Sequence, residues 1–180
     1  MKAASLAVEA AAADGSFEGY ASLFWREDMG RDRVMPGAFR TALQRRGAAG
    51  VKLLWQHRAE EPIGAWQSLE EDSRGLFVRG RLALEVGRAR EALALMRAGA
   101  LDGLSIGFRT VKAERLTGGG RALREVDLLE ISLVTFPMLP EARVSAVKAA
   151  RAGEAALADG MRRAARRLRA AAAGARWQTR

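Results

Sequence analysis

The sequence has 180 residues, no cysteine and a single histidine, and its formal net charge is +9. The lack of cysteine excludes disulfides, thiolate metal sites and cysteine nucleophiles, and one histidine cannot build a multi-histidine metal site. No apolar stretch approaches the ~20 residues that a membrane-spanning helix needs, and the N-terminus lacks the continuous apolar core of a signal peptide. We therefore expect a cytoplasmic protein with one domain and no contact with a membrane.

Most of the positive charge lies near the C-terminus. Residues 148–180 contain nine basic and two acidic residues, which leaves only +2 of the total charge for the first 147 residues. This segment is rich in alanine and arginine and has few larger apolar side chains, so it can bury little surface. We predict an N-terminal extension over residues 1–14, a domain over 15–147 and a basic tail over 148–180 that is helical or disordered.

The N-terminal half predicts two strands separated by a loop and a helix. Residues 17–24 (FEGYASLF) alternate as a strand does, with Gly19 at a bulge or a close approach. A polar loop follows and ends in the turn residues Pro36-Gly37. Residues 38–47 predict a short amphipathic helix that stops at its final glycine. Residues 51–57 (VKLLWQH) predict a strand that passes directly into a polar loop, RAEEP.

The C-terminal half predicts a hairpin, a helix and a second strand pair. Residues 63–84 predict a β-hairpin with Gly75 near its turn. Residues 86–101 repeat apolar side chains at helical spacing. Residues 104–116 and 121–137 predict two strands joined by a TGGG turn, after which two prolines end the ladder. The predicted class is α+β, a mainly antiparallel β-barrel or curved sheet with a few helices.

One serine, one histidine and one carboxylate are candidates for nucleophilic catalysis. A serine hydroxyl needs a base to take its proton, and the base needs a third group to orient it. The base can only be His57, which ends its strand. Ser105 lies in LSIGF, and the strand DLLEISLV offers Glu130, with Asp127 three residues earlier. Residues 105 and 130 are nearly equidistant from the TGGG turn, so strand pairing would bring an acid near the serine.

A plainer interpretation of the same residues exists. A serine in an apolar strand is usually a satisfied hydroxyl, a histidine at a strand end usually caps or faces solvent, and strand alternation could equally turn Glu130 to solvent. Pattern alone therefore favours a small β-rich domain over an enzyme.

Four ordered motifs change this balance. They are FEGYASLF with RVMPGAF, then VKLLWQHRAEEPIGAW, then GLFVRGRLAL with ALDGLSIGF, then LLEISLVTFPMLPEA. Their combination resembles the prohead maturation proteases of tailed bacteriophages, serine peptidases related in fold to herpesvirus assemblin. The resemblance covers about residues 15–147, and the same motifs occur in domesticated phage-like particles such as gene transfer agents.

The resemblance implies a serine endopeptidase inside the assembling procapsid. It would cleave the scaffold segment of the major capsid protein and then itself, with no metal or organic cofactor. His57 would be the general base, Ser105 the nucleophile and Glu130 the third member, with Asp127 and Ser132 as alternatives for that last role. We expect His57 and Ser105 on adjacent strands, within hydrogen-bonding reach or one water apart.

Further expectations concern the oxyanion, the partners and rival functions. The oxyanion donors would be backbone amides near Ser105, or Arg143. A homo-oligomer and a weak nucleic-acid contact through the tail, whose only aromatic residue is Trp177, are further partners. The rival functions are an inactive internal scaffold or capsid-interacting protein of the same fold, a nucleic-acid-binding protein, and a metal-dependent hydrolase, which the scarcity of ligands disfavours.

Overall fold

The structure is a computed structural model that describes residues 14–146. The predicted basic tail, the predicted domain end at 147 and all but the last residue of the predicted N-terminal extension lie outside these residues. The elements are β1 Ser16–Leu23, β2 Asp32–Val34, α1 Arg40–Arg46, β3 Lys52–Trp55, β4 Arg58–Glu71, β5 Gly75–Leu82, α2 Gly87–Arg97, β6 Gly103–Arg115, β7 Arg121–Val134 and β8 Val144–Ala146.

The strands described within residues 14–146 form one mixed sheet. Its order is β2-β7-β3-β4-β5-β1-β8, with β6 paired to β7. Only β2 and β3 run parallel to their neighbour β7; the other pairs are antiparallel. The predicted class, a mainly antiparallel curved sheet with a few helices, is confirmed.

Strand β7 organises this sheet because it pairs along both edges. One edge pairs with β6 from end to end, while the other is shared by β2, at residues 121–123, and β3, at residues 130–133. The start of β6 is bridged in turn to the segment before β8: Leu104 N donates to Ala142 O at 2.9 Å. Because β8 pairs with β1, the sheet curls into a half-barrel.

One hydrophobic cluster fills the curled sheet. Helix α1 packs against β7 and helix α2 against β4 and β5. Ile63, Leu104 and Leu123 are completely buried, and each such side chain contributes about 1.5–3 kcal/mol relative to leaving it in water. Neither helix within residues 14–146 is long and apolar enough to cross a membrane.

Most predicted elements are found, and three differ. The polar segment RAEEP is not a loop: it begins β4, whose first residues face solvent and therefore carry polar side chains. The predicted polar loop after β1 contains β2, which pairs with β7 far along the chain. Residues after the two prolines form β8 on β1. The close approach predicted at Gly19 is confirmed, since a Cβ there would lie 2.3 Å from Arg143 O.

Candidate active site

His57 lies in a tight turn between β3 and β4. Trp55 and Arg58 are paired across the turn, and its two central residues, Gln56 and His57, have φ values of 50° and 60°. Both are in the left-handed region, as in a type I′ hairpin turn, where asparagine and glycine are usual. Residues without that freedom store about 1–3 kcal/mol of strain each and persist only when their surroundings hold them.

Three hydrogen bonds to β7 and the residue after it hold the two central residues of this turn. Gln56 N donates to Leu133 O at 3.0 Å, and Gln56 Nε2 donates to Thr135 Oγ1 at 2.9 Å. His57 N donates to the Ser132 hydroxyl oxygen at 3.0 Å. Since β3 also runs parallel to this part of β7, the histidine is fixed to β7 through both backbone and side chain.

The imidazole of His57 is paired with Glu130. Nδ1 lies 2.6 Å from Glu130 Oε1, and the other carboxylate oxygen, Oε2, accepts a hydrogen bond from the Ser132 hydroxyl at 2.8 Å. The Glu130 side chain is 14% exposed, whereas that of His57 is 42% exposed. Ser132 is fully buried. Ser132 therefore links the histidine backbone to the carboxylate that binds the histidine ring.

The contact with Glu130 determines the pKa shift and the tautomer of His57. The hydrogen bond to Glu130 raises the pKa of His57 above its ordinary value, against the lowering effect of burial, and the charge of Glu130 acts in the same direction. With the proton on Nδ1, the ring donates to Glu130 and leaves Nε2 as its basic nitrogen. A carboxylate that fixes one tautomer in this way prepares the opposite nitrogen to accept a proton.

Ser105 lies on β6 beside this pair. Its direct cross-strand partner is Ser132, and directly opposed residues project to the same face of a sheet. Glu130 is two residues before Ser132, so it projects to that face too. Ser105 is 4% exposed and lines a gap between β6, the end of β1 and the residues around Met138. Ser105, Ser132 and Glu130 thus share one face, with the His57 ring bound to it.

Two expectations about strand placement need correction. His57 and Ser105 are not on adjacent strands, because β7 lies between β3 and β6. Ser105 is not opposite Glu130 either: the register places Ser132 across from Ser105 and Gly107 across from Glu130. One cause is that the turn before β7 does not divide residues 105 and 130 evenly, and the other is the register shift between Gly107 and Phe108. The carboxylate is a diagonal neighbour of the serine on the same face.

The other residues considered from the sequence have different partners. Asp127 is bound by Arg45 and by Arg46, whose Nη2 lies 2.9 Å from Oδ2. The hydrogen bond from Arg46 is the main cause of its lowered pKa. Arg143 donates from Nε to Pro140 O at 2.8 Å and pairs with Asp102. Within residues 14–146, no group of three or more acidic or histidine side chains could hold a metal ion.

A comparison with protein families shows which family this chain belongs to. The sequence profile of the caudovirus prohead serine proteases matches residues 3–156. The chain belongs to this family. The prohead protease of Enterobacteria phage HK97 is 39% identical over 137 residues, which are 74% of this chain and 60% of that protein. The chain therefore spans less than two thirds of that relative.

One further sequence relative and two solved structures are similar to this chain. The capsid polyprotein of Pseudomonas phage PAJU2 is 32% identical over 105 residues, 54% of this chain and 16% of the polyprotein. The capsid assembly protease of bacteriophage T4 has the same fold, with a TM-score of 0.52 at 16% identity over 66% of this chain and 80% of that one. The varicella-zoster virus protease aligns with a TM-score of 0.42 at 16% identity, over 66% of this chain and 56% of that one.

Two features of this family member were not assigned from sequence. The first is the left-handed turn at His57, for which Gln56 gives no signal because glutamine is not a usual type I′ residue. The second is the double contact of Ser132, which the sequence suggested only as an alternative to Glu130. A serine two residues after a glutamate in a strand is the signal that could have revealed it, because both side chains then project to one face.

Proposed function

We propose that this chain is a serine endopeptidase that cleaves the scaffold segment of the major capsid protein, and itself, inside the assembling procapsid. The observation that carries the proposal is the contact between His57 and Glu130 on the face that bears Ser105, in a member of the prohead serine protease family. Similarity to a prohead protease and to a capsid polyprotein supports the capsid protein as the substrate.

The proposed reaction is acyl transfer in two steps. Nε2 of His57 takes the proton of the Ser105 hydroxyl while Oγ attacks the peptide carbonyl carbon. The tetrahedral intermediate collapses as Nε2 gives that proton to the leaving amine, which departs and leaves an acyl ester on Ser105. Water, deprotonated by His57, attacks the ester; the acid product leaves and the proton returns to Ser105. Glu130 holds Nδ1–H and stabilises the charged imidazole throughout.

The oxyanion of each intermediate needs donors already in place. Backbone amides near Ser105 are the preferred candidates, because two guanidinium nitrogens of Arg143 already contact Pro140 and Asp102. An arginine that keeps these contacts would have to reach the oxyanion through its remaining donors.

Apolar side chains beside the serine supply a surface for a peptide. Met138 lines the same gap as Ser105 and is 45% exposed, while Met29, whose N donates to Met138 O at 2.9 Å, is 62% exposed. Methionine adapts to side chains of different shape because it is unbranched and flexible. We assign the contact with apolar substrate side chains to this pair.

Co-expression with the capsid protein tests the proposal. New capsid-protein termini, mapped by mass spectrometry, should appear with the unmodified chain and disappear with Ser105→Ala. Ser145→Ala, which changes an exposed serine outside the site, is the matched control and should leave the termini unchanged. Cleavage that survives Ser105→Ala would overturn the nucleophile. Full assembly without any cleavage would favour an inactive scaffold of the same fold.

Intact masses from the same experiment test self-cleavage. We expect the active chain to accumulate as a shorter form that lacks part of residues 148–180, and the Ser105→Ala chain to keep its full length. Equal trimming of both chains would point to a host protease. An active chain that stays intact would contradict self-cleavage and leave the capsid protein as the sole substrate.

A further inference from the structure

The glycine opposite Glu130 has a specific relation to the carboxylate. We propose that Gly107 is a positioning residue, whose missing side chain leaves the space over β6 through which the Glu130 carboxylate reaches His57. The inference rests on the proposed function, because it concerns the residue that orients the general base. It gives the glycine of LSIGF a role in the proposed reaction as well as in the strand.

The space is defined by three atoms of one side chain. A Cβ at residue 107 would lie 2.0 Å from Glu130 Oε1, 2.7 Å from its Cδ and 2.8 Å from its Cγ. Real Cβ atoms essentially never approach another heavy atom within 3.0 Å. The carboxylate therefore lies across the α-carbon of Gly107, in the volume that any other residue would fill.

The backbone of Gly107 does not itself require glycine. Its φ is outside the left-handed region, unlike those of Gly118, Gly119 and Gly120 in the turn before β7. A residue with a side chain can adopt this conformation without strain. The need for glycine at this position is thus a need for space, and only Glu130 occupies that space among the nearest atoms.

This separates Gly107 from the glycines that the fold requires. At Gly103, on the same strand, a Cβ would lie 2.4 Å from the backbone oxygen of Val134, and at Gly75 it would lie 2.0 Å from that of Ser22. Backbone atoms in a paired sheet cannot move aside, so substitutions there disturb the strands. A carboxylate can move, so a substitution at Gly107 displaces a side chain and leaves the ladder in place.

Displacement of the carboxylate would break two contacts together. Oε1 is bound to His57 Nδ1 and Oε2 accepts from Ser132, so the group cannot clear a new methyl while it keeps both. Glu130 would turn toward solvent, and His57 would lose the partner that fixes its tautomer. The strained turn at His57 would keep its backbone contact to Ser132. We therefore expect a folded protein in which His57 no longer pairs with Glu130.

The pKa of His57, measured by titration, reports directly whether its ring is still paired with Glu130. His57 is the only histidine in the chain, so its ring signals in an NMR titration are unambiguous. The measurement uses Ser105→Ala protein, which cannot cleave itself. Adding Gly107→Ala should lower the pKa of His57 as much as adding Glu130→Gln does. Gly87→Ala is the control, because a Cβ there has 3.8 Å to its nearest neighbour, Arg90 Nη2, and should leave the pKa unchanged.

A double-mutant cycle distinguishes the clash with Glu130 from a general defect. Gly107→Ala should lower Tm in the Ser105→Ala background and leave Tm unchanged once Glu130→Ala is also present, since the obstructing side chain is then gone. If Gly107→Ala does not fold alone, the variant with Glu130→Ala should fold. An equal loss of Tm in both backgrounds, or a His57 pKa that Gly107→Ala does not lower, would overturn the inference.

These readouts do not depend on proteolysis. An unchanged pKa in Gly107→Ala would reject the positioning role and leave Ser105 and His57 untouched. Conversely, the titration could show a His57 pKa lowered by Gly107→Ala while the unmodified chain fails to cleave the capsid protein in co-expression. That pair of results would support the positioning role and reject the proposed function. In the active chain we expect Gly107→Ala to lower kcat by about tenfold or more with little change in KM, because the base is affected and not peptide binding.

Discussion

Oε1 of Glu130 lies 2.6 Å from Nδ1 of His57, although 73 residues separate them in the chain. The carboxylate is mostly buried while the ring is partly open to solvent, so Glu130 is held inside the sheet while the ring of His57, the proposed base, remains accessible. This relationship makes the role of each group separately measurable.

Glu130→Gln should reduce peptidase activity by less than Ser105→Ala does. Glutamine keeps the shape of the side chain but loses its charge, so the imidazolium formed during the reaction is less stabilised. We expect kcat to fall by about 100-fold or more, short of the loss on removing the nucleophile. Steady-state kinetics on one peptide substrate gives the comparison. A Glu130→Gln enzyme as inactive as Ser105→Ala would contradict an orienting role.

The acid limb of the pH–rate profile should lie above pH 6.5. His57 accepts a proton only when neutral, and Glu130 raises the pKa at which it becomes neutral, so activity should rise with pH through this raised value. Glu130→Gln should move the limb to lower pH. Profiles of kcat/KM for the two enzymes test this prediction. A limb that stays in place would mean that another group controls it.

The contribution of the His57–Glu130 pair to the free energy of unfolding should fall as the pH rises. Because the pKa of His57 is higher in the folded than in the unfolded chain, its pairing with Glu130 stabilises the protein fully below pH ~6.5, the ordinary histidine value, and is lost as the pH rises through the folded value. Ser105→Ala should therefore exceed Ser105→Ala/Glu130→Gln in unfolding free energy by more at pH 6 than at pH 9. Partial exposure of the ring keeps this effect modest. A difference that grows toward pH 9 would refute it.

Ser132→Ala should destabilise the protein and weaken catalysis together. It leaves the backbone N–H of His57 without its acceptor and Glu130 Oε2 without its donor. Loss of a buried partner of this kind costs about 1–3 kcal/mol. Urea unfolding in the Ser105→Ala background measures the cost, with Ser145→Ala as the exposed control. Equal stability of the two variants would show that the hydrogen bonds of Ser132 to His57 and Glu130 do not stabilise the fold.

Gln56→Gly should be more stable than Gln56→Ala. Both lose the hydrogen bond to Thr135, so their difference reports the left-handed backbone at φ 50°. Glycine adopts this conformation freely, whereas a Cβ costs about 1 kcal/mol there. Unfolding by urea compares the two variants directly. An alanine variant of equal or greater stability would mean that the turn relaxes out of the left-handed region.

Sequence patterns predicted the elements whose signal is local. Both helices follow from apolar spacing, and the β6–β7 hairpin follows from the glycines of its turn. Strands β2 and β8 were missed because each has three residues and forms only through pairing with a distant strand. The start of β4 was taken for a loop because its exposed strand residues are as polar as loop residues.

The candidate site could be predicted in part for the same reason. A single histidine leaves one choice of base, and family motifs single out Ser105 and Glu130. Alternation along a strand cannot say which face is which, so the orientation of Glu130 toward His57 required the register of β7 against β3 and β6. The space over Gly107 depends on that same register and leaves no mark in the sequence beyond the glycine itself.

The hydrogen bonds of His57 to β7 affect when the candidate site can form during synthesis of the chain. The hydrogen bonds from His57 to Glu130 and Ser132 close loops of 73 and 75 residues, and contacts so distant in sequence form late, after the intervening chain has folded. A nascent chain that ends before residue 130 carries His57 but lacks Glu130 and Ser132, the residues of β7 that hold it. Under the proposed function, the chain therefore becomes able to cleave peptides only once β7 is complete.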